Sequence, residues 1–174
     1  RYRGEIWFQK GTYTLEKPLH IMANVGLYGG FNGTETSRAE ADGTPSETVL
    51  TGAQEGGAIT SRAFITDNIG TNFTVQGFTI TSFATMASQS TQQHGMLFRD
   101  CIFTNTTGIA FNVYARTTFD SCIFSKVSRV AYFNENTPNG TVFTNCVFRN
   151  NTTPNNSFLF EFGNSGGPNV YFRY

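Results

Sequence analysis

Four stretches of the chain share one frame, and their spacing restricts the fold more than any other feature. Val75-Gln76-Gly77-Phe78-Thr79-Ile80 aligns with Phe98-Arg99-Asp100-Cys101-Ile102-Phe103, Phe119-Asp120-Ser121-Cys122-Ile123-Phe124 and Phe143-Thr144-Asn145-Cys146-Val147-Phe148. The frame is an apolar residue, two mostly polar residues, Phe or Cys, an apolar residue or Thr, then Ile or Phe. Its fourth position falls at 78, 101, 122 and 146, in steps of 23, 21 and 24 residues. A further step of 24 reaches Val170-Tyr171-Phe172, which reads as a fifth copy. Each period carries a second apolar run: Gly108-Ile109-Ala110-Phe111, Arg129-Val130-Ala131-Tyr132, and a delayed Phe158-Leu159-Phe160.

One period therefore holds three short strands separated by corners rich in Asn, Gly, Ser and Thr. A helical repeat would need apolar positions at 3.6 spacing over ten residues or more, and none occurs. A sandwich would show hairpin turns without this fixed period. The spacing predicts an all-β fold, a right-handed single-stranded parallel β-helix of about 7–8 turns of 21–24 residues. Equivalent side chains in successive turns would then stack about 4.8 Å apart.

Composition agrees with this reading. The chain has 18 Phe, 18 Gly, 25 Thr and 16 Asn, which favour strands and turns over helices, so at most one short helix is expected. Twelve basic residues balance twelve acidic ones, so no basic field exists to condense on nucleic acid or an anionic membrane. No apolar run is long enough for a transmembrane helix, and direct membrane insertion is not expected. The first residue is Arg, and the chain is expected to be a segment of a longer protein.

Residues 1–174 are read as one domain, with regular repeats over 73–174 and a polar loop excursion over 32–47. The first half is looser, with strands expected at Glu5-Ile6-Trp7-Phe8, Val25 to Phe31, Thr48 to Gly52 and Ala63-Phe64-Ile65.

Glu5-Ile6-Trp7, Gly11-Thr12-Tyr13, Leu27-Tyr28-Gly29-Gly30-Phe31-Asn32-Gly33-Thr34-Glu35-Thr36 and Thr48-Val49-Leu50-Thr51-Gly52 carry a resemblance. Together with the Cys-x-Phe repeats, this series resembles pectin-lyase-like β-helix regions of large secreted or surface-anchored bacterial proteins. Gly56-Gly57-Ala58-Ile59 and Phe148-Arg149-Asn150-Asn151 also look like two motifs of polymorphic outer-membrane proteins. The resemblance implies the β-helix and an extracellular or cell-surface setting, not a reaction.

Cys101, Cys122 and Cys146 occupy one column, two residues before Phe103, Phe124 and Phe148, so all six are expected in an inward core ladder. Side chains pointing the same way hold their Cβ atoms too far apart for a disulfide, so the thiols read as free, small hydrophobes. With no fourth ligand and no nearby His, no metal site or cofactor is expected. Because the resembled fold includes polysaccharide lyases, the acidic and basic residues of the repeats are catalytic candidates. Arg99, Asp100, Asp120 and Lys126 form the nearest set, but Asp100 and Asp120 are out of register by one, and Asp commonly caps turns. No catalytic residue is therefore assigned. His20 and His94 stand alone, with no triad spacing. Sequons occur at Asn32, Asn72, Asn105, Asn139, Asn150, Asn151 and Asn155.

Between the inward Cys and Phe positions lies an outward stripe expected to contain Thr79, Ile102, Ile123, Val147 and Tyr171. It reads either as a ladder covered by a neighbouring loop, such as 84–94, or as a contact face for another domain or copy. Thr-x-Thr pairs at Thr12, Thr34 and Thr79 raise ice binding, but the pair is not kept through the repeats. The expected function is a non-catalytic structural or adhesive segment of a cell-surface or filament-forming protein. Its expected partners are other domains or copies of the same protein, or surface glycans. The alternative is a polysaccharide lyase or a carbohydrate-binding protein, the latter using Trp7, Tyr13, Tyr28 or Tyr114.

Overall fold

The structure, a computed structural model, describes residues 4–22, 24–53, 57, 59–65, 73–88, 95–114, 116–134, 140–153, 158–163 and 169–174. It is nearly all β, and every pairing between its strands is parallel. One sheet contains seven strands in chain order: β1 (Gly4–Gln9), β4 (Val25–Phe31), β7 (Phe73–Gln76), β10 (Met96–Arg99), β12 (Thr117–Asp120), β14 (Thr141–Thr144) and β17 (Val170–Arg173).

A second sheet bends into two arms. The first arm takes β2 (Gly11–Thr14), β5 (Thr48–Thr51) and β8 (Thr79–Thr81) to the leading half of β11 (Ile102–Val113). From there it continues through β13 (Ile123–Phe133) to β15 (Val147–Arg149). The second arm takes β3 (Leu19–His20), β6 (Arg62–Ile65) and β9 (Thr85–Ser88) to the trailing halves of β11 and β13, then to β16 (Phe160–Phe162).

The corners explain the residue types found there. Gly77, Asp100, Ser121 and Asn145 each adopt positive φ between the seven-stranded sheet and the first arm. Ser82, Asn105, Lys126 and Asn150 do so between the two arms. Gly, Asn and Asp tolerate this left-handed conformation because it brings no clash, or because a short polar side chain bonds locally. The chain turns there without losing register: Thr104 faces Ser125 before the second corner, and Thr106 faces Val127 after it. Hence β11 and β13 run through the corner as bent strands where the sequence suggested two short ones.

Alternation puts Phe98, Phe119 and Phe143 inside the first sheet, their rings nearly parallel at 5.4 and 4.7 Å. Phe103, Phe124 and Phe148 stack at 5.0 Å per step in the first arm. Cys101 and Cys122 are fully buried and Cys146 half-buried, all as free thiols. Each thiol's single proton has two backbone carbonyls within reach, those of Val75 and Arg99 for Cys101, Phe98 and Asp120 for Cys122, and Phe119 and Thr144 for Cys146. Phe103 and Phe124 are fully buried beside these thiols, and Phe148 is half-buried.

Two expectations are corrected. Tyr171 does not continue the stripe of Thr79, Ile102, Ile123 and Val147; it lies beside Val142 in the seven-stranded sheet, and Phe172 faces Phe143. The last period is longer than the constant step assumed, so position 170 reaches the first sheet rather than the Cys column. Two 3-10 turns, Arg38–Glu40 and Pro45–Glu47, stand where at most one short helix was expected. Both lie in the excursion over 32–47. His94, the sequons at Asn72, Asn139 and Asn155, and most of the loop 84–94 lie outside the described residues.

Candidate functional site

The outer face of the seven-stranded sheet is where polar and aromatic side chains accumulate. Register places Trp7, Tyr28, Gln76, Arg99, Asp120, Thr144 and Arg173 in one row across it. The excursion over 32–47 folds back against the first strands of this row. Arg38 lies over the Tyr28 ring, 4.5 Å from its centre, and pairs with Glu5 at 3.1 Å. Glu5 also accepts from the Trp7 indole at 3.0 Å, and Trp7 stacks on Phe31 at 4.7 Å.

Carboxylates hold the excursion in shape. Glu35 accepts from the backbone N–H groups of Asn32, Gly33 and Thr34, which keeps its carboxyl below the ordinary range. Glu40 is lowered likewise by the Thr36 N–H and then by the Ser37 hydroxyl. Glu47 and Thr44 form a capping box, and the Thr44 N–H lowers Glu47. Lys10 donates to Asp42 at 2.7 Å, raising the amine and lowering the carboxyl. Gly43 approaches Gly30 so closely that a Cβ on Gly43 would sit 2.5 Å from the Gly30 Cα. Only glycine permits the loop to close on the strand here.

Between excursion and sheet lies a groove of about 640 Å³. Its walls include Arg38, Ala39, Ala41 and Pro45 from the excursion, and Tyr28, Phe31, Gln76, Asp100 and Ser121 from the sheet and its corners. The Gln76 amide donates to Asp100 at 3.2 Å.

The catalytic candidates are divided. Arg99 and Asp120 are cross-strand neighbours and pair at 2.9 Å. Asp100 occupies a left-handed corner and faces the groove. Lys126 sits at the other kind of corner, exposed, between the two arms. The structure thus joins two of the four, and Lys126 shares no element with the rest. No three His, Cys, Asp or Glu side chains gather into a metal-binding group among the described residues. His20 is exposed on β3.

In the outward stripe, Thr79, Ile102 and Ile123 are half-buried, and Val147 is 47% exposed. The Thr79 hydroxyl donates to the Pro45 carbonyl at 3.0 Å, so the excursion covers that end. Of the aromatic candidates, Tyr13 packs edge-on against Phe8, Tyr28 is buried beneath Arg38, and Tyr114 is half-buried. The sequon residue Asn151 accepts from the Val127 N–H and donates to the Phe124 carbonyl, bracing a corner. The groove went unread in the sequence because its lining comes from five separated stretches of chain. Its one signal was the glycine pairing of Gly29 with Gly77 and of Gly30 with Gly43. Neither a family model, nor a curated protein, nor a solved structure matches the chain.

Proposed function

We propose that the chain is a right-handed parallel β-helix acting as a rigid, non-catalytic scaffold. It would be the structural or adhesive part of an extracellular, cell-surface or filament-forming protein. The observation that supports this is the continuous parallel register: three strand positions recur in order, each pairing with its equivalent one period later. The hand follows from the strong preference of parallel crossovers for right-handed connection. Interlocked aromatic ladders and hydrogen-bonded corners make such a coil stiff and leave few segments for a protease.

The candidate acid–base groups serve the scaffold. Arg99 and Asp120 neutralise each other across strands, while Asp100 and Lys126 turn corners. Partners of this scaffold are other domains or copies, or surface glycans; its zero net charge gives nucleic acid nothing to hold.

Electron microscopy of the native protein, with its mass, tests the proposal alongside protease accessibility on intact cells. An elongated particle, trimmed only slowly by protease added outside intact cells, is expected. A compact intracellular monomer would overturn it. The groove favours a second reading, a carbohydrate-active protein; release of unsaturated sugars from acidic polysaccharides would identify a lyase.

A further inference from the structure

We propose that the groove beneath the excursion binds a short neutral oligosaccharide. This rests on the scaffold proposal for its biological setting, and on the groove alone for its chemistry. At about 640 Å³ the groove falls within the roughly 300–1,000 Å³ of small-molecule sites. Its lining is mixed as a sugar requires. Ala39, Ala41 and Pro45 offer apolar surface to C–H groups, and Gln76, Asp100 and Ser121 offer hydrogen bonds to hydroxyls.

Valence accounting makes Asp100 the principal acceptor. An ionised carboxylate has about four lone-pair sites. Among the described residues, the Asp100 carboxylate accepts from the Gln76 amide. Its remaining capacity faces a ligand-sized space. Ser121 spends its hydroxyl hydrogen on Asp120, which leaves its oxygen free to accept from a ligand.

Charge selects against the acidic sugars that a lyase would take. Arg38 lines the groove, but its charge is offset by Glu5 at 3.1 Å and its guanidinium lies over the Tyr28 ring. Asp100 then supplies the lining's uncompensated charge, which repels a uronate and attracts the hydroxyls of a neutral ring. The floor cannot fill with side chains either. A Cβ on Gly29 would meet the Gly77 carbonyl oxygen at 2.4 Å.

The test uses maltotriose, mannotriose, cellotriose and chitotriose as neutral probes and trigalacturonate as the acidic one, followed by amide chemical shifts. At least one neutral trisaccharide is expected to shift Tyr28, Gln76, Gly77 and Asp100 at millimolar concentration or below. Asp100→Asn retains a residue that tolerates the left-handed corner, and is expected to weaken binding about tenfold, or roughly 1.4 kcal/mol. Ala39→Trp is expected to abolish binding by filling the groove, with the dispersion of other amide signals unchanged. No shift with any neutral probe, tighter binding of trigalacturonate, or unaltered binding in both variants would overturn the inference. A surface rod that ignores every sugar would overturn this inference alone. A compact intracellular monomer that binds one in the groove would overturn the scaffold proposal alone.

Discussion

Lys126 holds φ at 53° while exposed to solvent, in a conformation that costs an ordinary L-residue about 1–2 kcal/mol. The equivalent corners use Ser82, Asn105 and Asn150, two of them Asn, for which the cost is smaller. Lys126→Gly is expected to raise unfolding stability by about 1 kcal/mol in urea denaturation, because glycine meets no Cβ clash there. An unchanged or lowered midpoint would assign the lysine a role beyond the corner. Cys122 makes a second prediction at this scale. Burial pushes its thiol well above the ordinary range, so the folded protein keeps the proton that the unfolded chain releases above about pH 8.5. Stability from this group is therefore full below that pH and declines as pH rises, by up to about 1.4 kcal/mol per pH unit. Cys122→Ala removes this alkaline slope, at the cost of a small cavity. Residue identities alone suggested one inward column of Cys and Phe, because a thiol and a ring two residues apart share a face and alternate with the residue between them. They read Asp100 and Asp120 alike as turn-capping carboxylates, whereas Asp100 takes the left-handed corner and Asp120 lies in β12, paired with Arg99.

Among elements, the excursion over 32–47 depends on ionised carboxylates more than on packing, because its 3-10 turns bury no residue. Glu35, Glu40, Asp42 and Glu47 all have lowered carboxyl pKa values. Their contribution is present above the unfolded pKa and is lost as pH falls through the lower folded values. Below about pH 4 the excursion is expected to open while the sheets persist. Trp7, the chain's single tryptophan, reports this through the Glu5–Arg38 contact, so its emission should shift before the far-ultraviolet dichroism changes. Simultaneous loss of both signals would contradict an independently held loop. The same insertion explains what the sequence could not show. Gly26 pairs with Thr74, so one circuit absorbs both the excursion and the segment after β5, and the period vanishes from the first half. Where circuits lack insertions, Phe98 to Phe119 and Phe119 to Phe143, the repeat is plain. Constant steps failed again at Tyr171, because the final circuit is longer. The groove lies where the period breaks, built by the element that breaks it.

At the scale of the whole molecule, the proposed β-helix requires each rung to touch mainly the rungs above and below, so that stability is a sum of local terms and nearest-neighbour interfaces. Position along the stack should then decide what a side chain contributes. Phe119 is fully buried between Phe98 at 5.4 Å and Phe143 at 4.7 Å, both nearly parallel to it. Phe172 belongs to the same column, 54% exposed, with Phe143 stacked on it at 5.2 Å. Phe119→Ala is expected to cost about 3–5 kcal/mol, as for other buried Phe truncations. Half the burial and one stacking neighbour should bring Phe172→Ala to roughly half that or less. Hydrogen exchange should follow the same gradient, with slowest amides in β10, β12 and the two bent strands β11 and β13, and faster ones in β1 and β17. A globule with one undivided core would give the two truncations comparable cooperative losses and uniform protection across both sheets. A graded profile that steepens locally around position 119 in the Phe119→Ala variant would instead show that the rungs carry load pairwise. That behaviour is what a stiff surface scaffold requires, because damage at one rung is then confined to its neighbours.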